Sequence, residues 1–380
     1  MMAALAAALD GSGPAILPLD PELPRPALMA AFEAFAPTAI ETMAGTTAYR
    51  GAVGGCLPDC DDTAVVIATS GSTGEPKGVQ LSAAALTASA AASLRRIGAG
   101  PGERWLCCLP TFHVSGLGVL VRSLLAGTDA VITEAVSPDV IAGSGCAHVS
   151  LVPTQLRRLL DAGCTPGPVK TVLLGGAAAP GGLVAEAHAA GWRIVISYGM
   201  SETCGGCVYD GLPLDGVSVR ADAAGRLKIS GPTLFSGYRL RPDLTAAALD
   251  GGWFVTSDLG EVSADGRVTV RGRADDVIIS GGEKIVPGEV EALLGGGDGV
   301  AEAVVVGVPD PEWGEVVTAF VIPVDAGEPP DLNQLRSNVR EALSARAAPK
   351  RMLVMPEFPL LPSGKPDRAA LRDIGLRDLG

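Results

Sequence analysis

Four hydroxyls, three glycines and one lysine are gathered in ten residues, Thr69-Ser70-Gly71-Ser72-Thr73-Gly74-Glu75-Pro76-Lys77-Gly78. Glycines let backbone N–H groups converge, and hydroxyls with an ammonium add donors, so the stretch reads as a phosphate cradle. Its candidate anion-binding residues are Thr69, Ser70, Gly71, Ser72, Thr73, Gly74 and Lys77. It is not a Walker loop, because Gly78 follows Lys77 where that pattern requires Ser or Thr. A Gly/Ser loop standing alone would serve equally as a mobile linker. A second stretch, Ser197-Tyr-Gly-Met-Ser-Glu-Thr203, offers a flat face for a base at Tyr198, a phosphate-binding hydroxyl at Thr203, and a hard oxygen ligand for Mg²⁺ at Glu202. A third, Leu173–Pro180, carries Gly175, Gly176 and Ala177, where a planar ligand can approach the backbone; a strand-to-helix turn ending at Pro180 accounts for it equally well. His113 and Ser115, in Leu109-Pro-Thr-Phe-His-Val-Ser-Gly116, are either turn and cap residues or polar groups facing a ligand. Near the end, Lys365 stands in Leu361-Pro-Ser-Gly-Lys-Pro-Asp-Arg368; taken alone, such a lysine is merely solvated.

The elements that must position these residues follow from apolar runs and their punctuation. Ala64–Ala68 reads as a strand opening into the Thr69–Gly78 loop, and Val79–Leu81 as a β-like run. Ser82 caps a helix reaching about Arg96, whose two arginines suit its C-terminal dipole. Segments Arg104–Leu109, Gly116–Ala126, Ala130–Thr133, Leu151–Asp161, Thr171–Leu174, Leu183–Ala190 and Arg193–Ser197 then alternate between strand and helix. That pattern predicts an α/β domain with a largely parallel sheet, whose ligands sit beyond the carboxyl ends of its strands. From about Leu212 to 270 the runs shorten to Val217–Val219, Arg226–Ser230, Gly252–Thr256, Gly260–Val262 and Arg267–Val270, a small β subdomain. The remainder reads as a compact α+β domain: a helix from Pro287, strands Ala303–Val308 and Val316–Pro323, a helix over Asp331–Ala345, and strand Arg351–Val354. Residues 1–60 are rich in Ala, Pro and Gly, with one helix expected around Pro26–Phe35.

Composition narrows the function classes. At 380 residues the chain is expected to divide into domains. Its net charge of −13 argues against nucleic acid or an anionic membrane as partner, so an anionic nucleotide needs a local positive site. No segment approaches the roughly 20 apolar residues of a membrane span, and Met1–Leu9 lacks a basic n-region. A soluble, cytoplasmic protein with reduced thiols is the expectation for its eight cysteines. Cys204-Gly-Gly-Cys207 has the spacing of a redox pair or half a zinc knuckle, but no second pair accompanies it. His148 and His188, at apparent element edges without ligand partners, read as structural.

In sequence and order, TSGSTGEPKG, YGMSET, the segment Trp253-Phe-Val-Thr-Ser-Asp-Leu-Gly260, the segment Arg271–Ile285 and PSGKPDR resemble the signatures of the adenylate-forming acyl- and aryl-CoA ligase superfamily. The resemblance runs from residue 69 to residue 368. It implies a large ATP- and acyl-binding domain over 1–274 and a small mobile lid domain over 275–380, with Asp275 as hinge. It further implies that Asp258 and Arg273 hold the nucleotide sugar, and that His113, Ser115 and Gly199 border the carboxylate pocket. In the same scheme Tyr198, Gly199 and Gly175–Ala177 flank the nucleotide, and Gly281 and Gly282 lie on a loop that reaches the active site on the CoA side after domain rotation. Lys365, with Thr203 and His113, completes the catalytic set, Glu202 holds Mg²⁺, and ATP, a carboxylate and CoA are the small-molecule partners. The short N-terminal segment departs from the superfamily's usual length. Together with FHVSG, SLVPTQLRRLL and LLGGAAAP, it is most similar to the short o-succinylbenzoate-CoA ligases of menaquinone biosynthesis. Another aryl- or short-chain acyl-CoA ligase, a stand-alone module loading a carrier protein, and an inert nucleotide-binding relative remain alternatives, as do monomer and homodimer.

Overall fold

Five parallel strands, Ile194–Met200, Thr171–Leu174, His148–Leu151, Trp105–Cys107 and Val131–Ile132, lie side by side in that order in the computed structural model. Antiparallel strands Gly205–Tyr209 and Leu212–Pro213 extend the sheet beyond Ile194–Met200. The described residues are 1–42, 45–49, 62–70, 76–295, 299–361 and 365–378. Gly71, Ser72, Thr73 and Gly74 of the cradle, Cys56, Cys60 and Pro362-Ser363-Gly364 lie outside them. The middle strands are buried along their whole length, including the polar His148, Ser150 and Thr171 among their apolar residues. The expected α/β layering with a mainly parallel sheet is therefore present.

The cradle strand does not belong to that sheet. Thr63–Ser70 and Pro76–Ser82 form an antiparallel hairpin, with Ser70 opposite Pro76 and Thr69 opposite Lys77, and Gly237–Tyr238 adds a third strand. Ser82 accepts a 3.1 Å hydrogen bond from the Ala85 N–H, starting helix Ala83–Ile97 as its hydroxyl predicts. Two other boundaries moved. The strand expected to end at Ser197 runs on to Met200, so Tyr198 and Gly199 sit within it; a Cβ at Gly199 would lie 2.0 Å from the Gly205 carbonyl oxygen of the partner strand. The two short runs Gly252–Thr256 and Gly260–Val262 are one strand, Trp253–Val262, kinked by a register shift between Leu259 and Gly260. That strand, with Ser218–Ala221, Arg226–Ser230, Leu249–Asp250 and Val268–Arg273, makes the antiparallel β subdomain.

Helix Met2–Asp10 was not anticipated beyond its apolar character; it buries Leu5 and Ala8 against the hairpin strand Thr63–Ser70 and helix Ala83–Ile97. Its Ala/Leu-rich sequence carries the propensity for it. The C-terminal part has a five-stranded sheet: Glu283–Ile285, Ile278–Ser280, Gly314–Pro323 and Val300–Asp310, with Arg351–Val354 parallel to Gly314–Pro323. Helices Pro287–Leu294, Leu332–Ala342 and Arg368–Arg377 pack on it. Its buried clusters draw on residues 278–371, whereas those of the larger part draw on residues 5–268. The architecture is a large α/β N-terminal domain followed by a small C-terminal one. Among the described residues no helix is long and apolar enough to cross a membrane.

Candidate active site

The hairpin brings Lys77 over the ring of Tyr238, with the ammonium 5.7 Å from the ring centroid. The Tyr238 hydroxyl, on a side chain only 8% exposed, donates a 2.8 Å hydrogen bond to Glu202 Oε1. Burial raises the Tyr238 pKa and the Glu202 charge raises it further, so this phenol remains a donor. Glu202 is fixed from behind as well, its backbone carbonyl accepting from Phe235 N–H at 2.9 Å. No cluster of three metal-ligating side chains occurs among the described residues. A half-buried carboxylate with one oxygen tied to a phenol fits Mg²⁺, which takes one or two carboxylates and completes its shell with phosphate oxygens and water.

A second group forms where the β subdomain meets the parallel sheet. Antiparallel pairing places Asp258 directly opposite Arg273. Asp258, 9% exposed, accepts a 2.7 Å hydrogen bond from the Tyr198 hydroxyl and lies 3.6 Å from the Arg273 guanidinium. Burial, then the Asp258 charge, drives the Tyr198 pKa far upward. Arg273 also reaches Asp275 at 3.1 Å. On the C-terminal side, burial lowers the Lys365 pKa, the Arg273 charge lowers it further, and the Asp258 charge opposes both. Leu361 N–H donates to the Lys365 carbonyl and Asp367 N–H to that of Pro359, each at 2.8 Å.

His113 occupies the position before helix Val114–Leu125, yet its side chain caps nothing. Its Nε2 is buried with no hydrogen-bond partner, the condition of a group awaiting a ligand atom. Burial lowers its pKa, Asp20 raises it, and Lys365 lowers it, so the imidazole shares an electrostatic environment with the lysine. Gly116 permits this turn; a Cβ there would lie 2.3 Å from the Pro110 carbonyl oxygen. Ser115 is half-exposed in the first helical turn. Gly175, Gly176 and Ala177 follow the carboxyl end of strand Thr171–Leu174, with Gly176 at φ 83° and exposed like Ala177.

Thr203 requires a correction. It is 0% exposed, and its hydroxyl accepts from Met200 N–H at 3.0 Å and has its one proton directed between the carbonyls of Gly205 at 2.7 Å and Met200 at 3.1 Å. That hydroxyl fastens the turn and has no capacity left for a phosphate. The half-exposed hydroxyl of this turn is Ser201, directly before Glu202, and its position in YGMSET was the signal available. Tyr238 carried no local signal; only its pairing with Val79 brings it to Glu202. Gly281 and Gly282 form a hairpin tip with φ 55° and 81°; Gly281 N–H donates to the Trp313 carbonyl, within the C-terminal domain. Cys204 and Cys207 are buried thiols, the latter pushed up to about 12 by burial, which suits neither metal nor redox chemistry. His148 lies on a strand, 2.9 Å from Glu103, and His188 Nδ1 lies 3.1 Å from the Trp192 carbonyl, both structural contacts.

Comparison with known proteins places the chain in a family. Residues 14–239 match the profile of the AMP-binding enzymes and residues 289–365 that of the AMP-binding enzyme C-terminal domain. A probable 2-succinylbenzoate–CoA ligase of Mycobacterium tuberculosis is 45% identical over 327 residues, 82% of this chain and 84% of that one. The Bacillus subtilis o-succinylbenzoate CoA synthetase, solved with the acyl-adenylate intermediate OSB-AMP, superposes with a TM-score of 0.73 at 32% identity over 83% of this chain and 70% of that one. ATP-bound MatB from Rhodopseudomonas palustris gives a TM-score of 0.77 at 28% identity, covering 85% and 70%.

Proposed function

The chain belongs to the AMP-binding enzyme family, and from that premise we propose that it is an ATP-dependent acid–CoA ligase whose substrate is o-succinylbenzoate. The observation that carries the proposal is the group in which Asp258 accepts from Tyr198 at 2.7 Å and pairs with Arg273 at 3.6 Å, between the parallel sheet and the β subdomain. In the first half-reaction a carboxylate oxygen attacks the α-phosphorus of ATP and pyrophosphate leaves, giving an acyl-adenylate. Such a displacement needs alignment and charge stabilisation more than a protein nucleophile. Asp258, held by Tyr198, accepts the ribose hydroxyls, and Arg273 steadies the same carboxylate. Lys77 and the hairpin bind the terminal phosphates, and Ser201 takes the phosphate role first read into Thr203. Glu202 holds Mg²⁺, which supplies charge neutralisation when bound. The Lys365 ammonium sits between carboxylate and α-phosphate, offsetting the approach of two anions. His113, with Ser115, faces the acyl group.

In the second half-reaction the CoA thiolate attacks the acyl carbon and AMP leaves. The proposed domain division near Asp275 lets residues 275–380 rotate, withdrawing Lys365 and presenting Gly281–Gly282 to the vacated side. A cytoplasmic location fits the six free cysteines of the described residues. The test offers ATP, Mg²⁺ and CoA with o-succinylbenzoate, benzoates and short fatty acids, and identifies thioesters by mass. A thioester from o-succinylbenzoate in preference to the others is expected. Turnover confined to another acid overturns the substrate, and release of AMP only with a carrier protein overturns CoA as acceptor.

A further inference from the structure

Arg368, three residues beyond Lys365, is engaged on every side. Its Nη1 lies 2.7 Å from Glu291 Oε1 and donates to the Val305 carbonyl at 2.6 Å, its Nη2 donates to Glu291 Oε2 at 3.0 Å, and its Nε lies 3.5 Å from Asp276 Oδ2. Glu291 Oε1 also accepts from Val305 N–H at 2.7 Å. One guanidinium thus joins four elements: the first turn of helix Arg368–Arg377, helix Pro287–Leu294, strand Val300–Asp310 and the short turn Ala274–Asp276. Planar, two-pronged pairing of this kind fixes orientation as well as distance.

The two neighbouring carboxylates of the turn face different ways. Asp275 pairs with Arg273, which also touches Asp258, while Asp276 pairs with Arg368. On the far side, Asp367 accepts from Ala370 N–H at 3.0 Å and its own N–H donates to Pro359, so the lysine loop is anchored immediately before Arg368. We propose that Arg368 is a positioning residue that ties Lys365, through Pro366 and Asp367, to the Ala274–Asp276 turn, so that movement about the turn carries the lysine as one body. The contacts to Glu291 and Val305 extend that body into the domain core, where Val305 is fully buried. A lysine in this place could not reproduce the paired contacts.

The role in turnover rests on the ligase proposal, and the test separates the two. Arg368→Gln and Arg368→Lys are compared with the wild-type chain in acyl-adenylate formation, in thioester formation from supplied acyl-adenylate, and in amide hydrogen exchange. A misplaced lysine should lower the adenylation kcat roughly 10- to 100-fold in Arg368→Gln. KM for ATP and the thioester half-reaction should stay near wild type, with Arg368→Lys intermediate. Exchange should quicken at Leu361 and Asp367, whose N–H groups bond to the Lys365 and Pro359 carbonyls, and stay unchanged at Phe320 in the core. Equal loss in both half-reactions overturns the positioning role in favour of general stabilisation, and unaltered exchange at Leu361 and Asp367 overturns the rigid coupling. If the wild-type chain adenylates no acid, the ligase proposal fails, and exchange alone still decides whether Arg368 holds the loop.

Discussion

Lys365 is the residue on which the proposed chemistry turns, and its setting yields a divided outcome. Burial and the Arg273 charge lower its pKa while Asp258 opposes them, and in the proposed mechanism its ammonium serves the step in which a carboxylate approaches phosphate. Lys365→Ala should cut acyl-adenylate formation by roughly 10²–10³-fold, the scale of removing one preorganised charge stabiliser. Thioester formation from supplied acyl-adenylate should be largely spared; equal loss in the two assays would refute the assignment. A different cluster governs acid stability. Lys170, then the Gly100 N–H, then His148 hold the Glu103 carboxyl down to about 2, while burial lowers the His148 pKa despite its Glu103 partner. For both groups the folded pKa lies below the unfolded one. The His148 contribution is complete above its ordinary pKa of about 6.5 and declines below it; that of Glu103 is complete above about 4.3 and is lost towards pH 2. The urea midpoint should therefore fall from pH 7 to pH 3, and His148→Gln should flatten the upper part of that fall.

At the scale of elements, YGMSET needs its glycine for packing. Strands Ile194–Met200 and Gly205–Tyr209 approach so closely at Gly199 that any Cβ would strike the Gly205 carbonyl. Gly199→Ala should cost about 1–3 kcal/mol, as overpacking does, measured as a drop in denaturation midpoint, with activity lost through displacement of Tyr198 and Glu202. Unchanged stability would show that the strand pair yields without strain. The elements themselves were largely legible. Thr171–Leu174, Arg226–Ser230 and Arg351–Val354 begin and end where their apolar runs do, and the Ser82 cap was visible as a hydroxyl before an Ala/Leu run. The extension of Ile194–Met200 was not, because glycine and polar residues continue a strand only when a partner backbone lies alongside.

At the scale of the molecule, two separately cored parts meet around Ala274–Asp276, and the proposed mechanism has the lysine of one part act in the site of the other. In the proposed mechanism the two half-reactions make opposite demands on that lysine, and movement at this turn is how they would be met. Asp275→Pro, which restricts the backbone there, should leave acyl-adenylate formation near wild type and depress thioester formation from supplied acyl-adenylate. Normal thioester turnover in that variant would remove the hinge from Asp275.

The sequence by itself determined which chemistry was available: hydroxyls and lysine at 69–78, a carboxylate at Glu202, another at Asp258, and a lysine at 365 on a loop built of proline and glycine. It also pointed to the parallel sheet, through short, largely apolar strands alternating with helices. Tertiary structure decided the partners. Tyr238 reaches Glu202 across a strand pairing, Tyr198 turns its hydroxyl to Asp258, and Arg368 gathers four elements. It also spent the Thr203 hydroxyl on the backbone and left Ser201 half-exposed, since which of two nearby hydroxyls is so spent depends on where the chain turns. Residue type fixes what a group can donate or accept; what it meets is set by contacts between segments far apart in the chain, to which no local spacing refers.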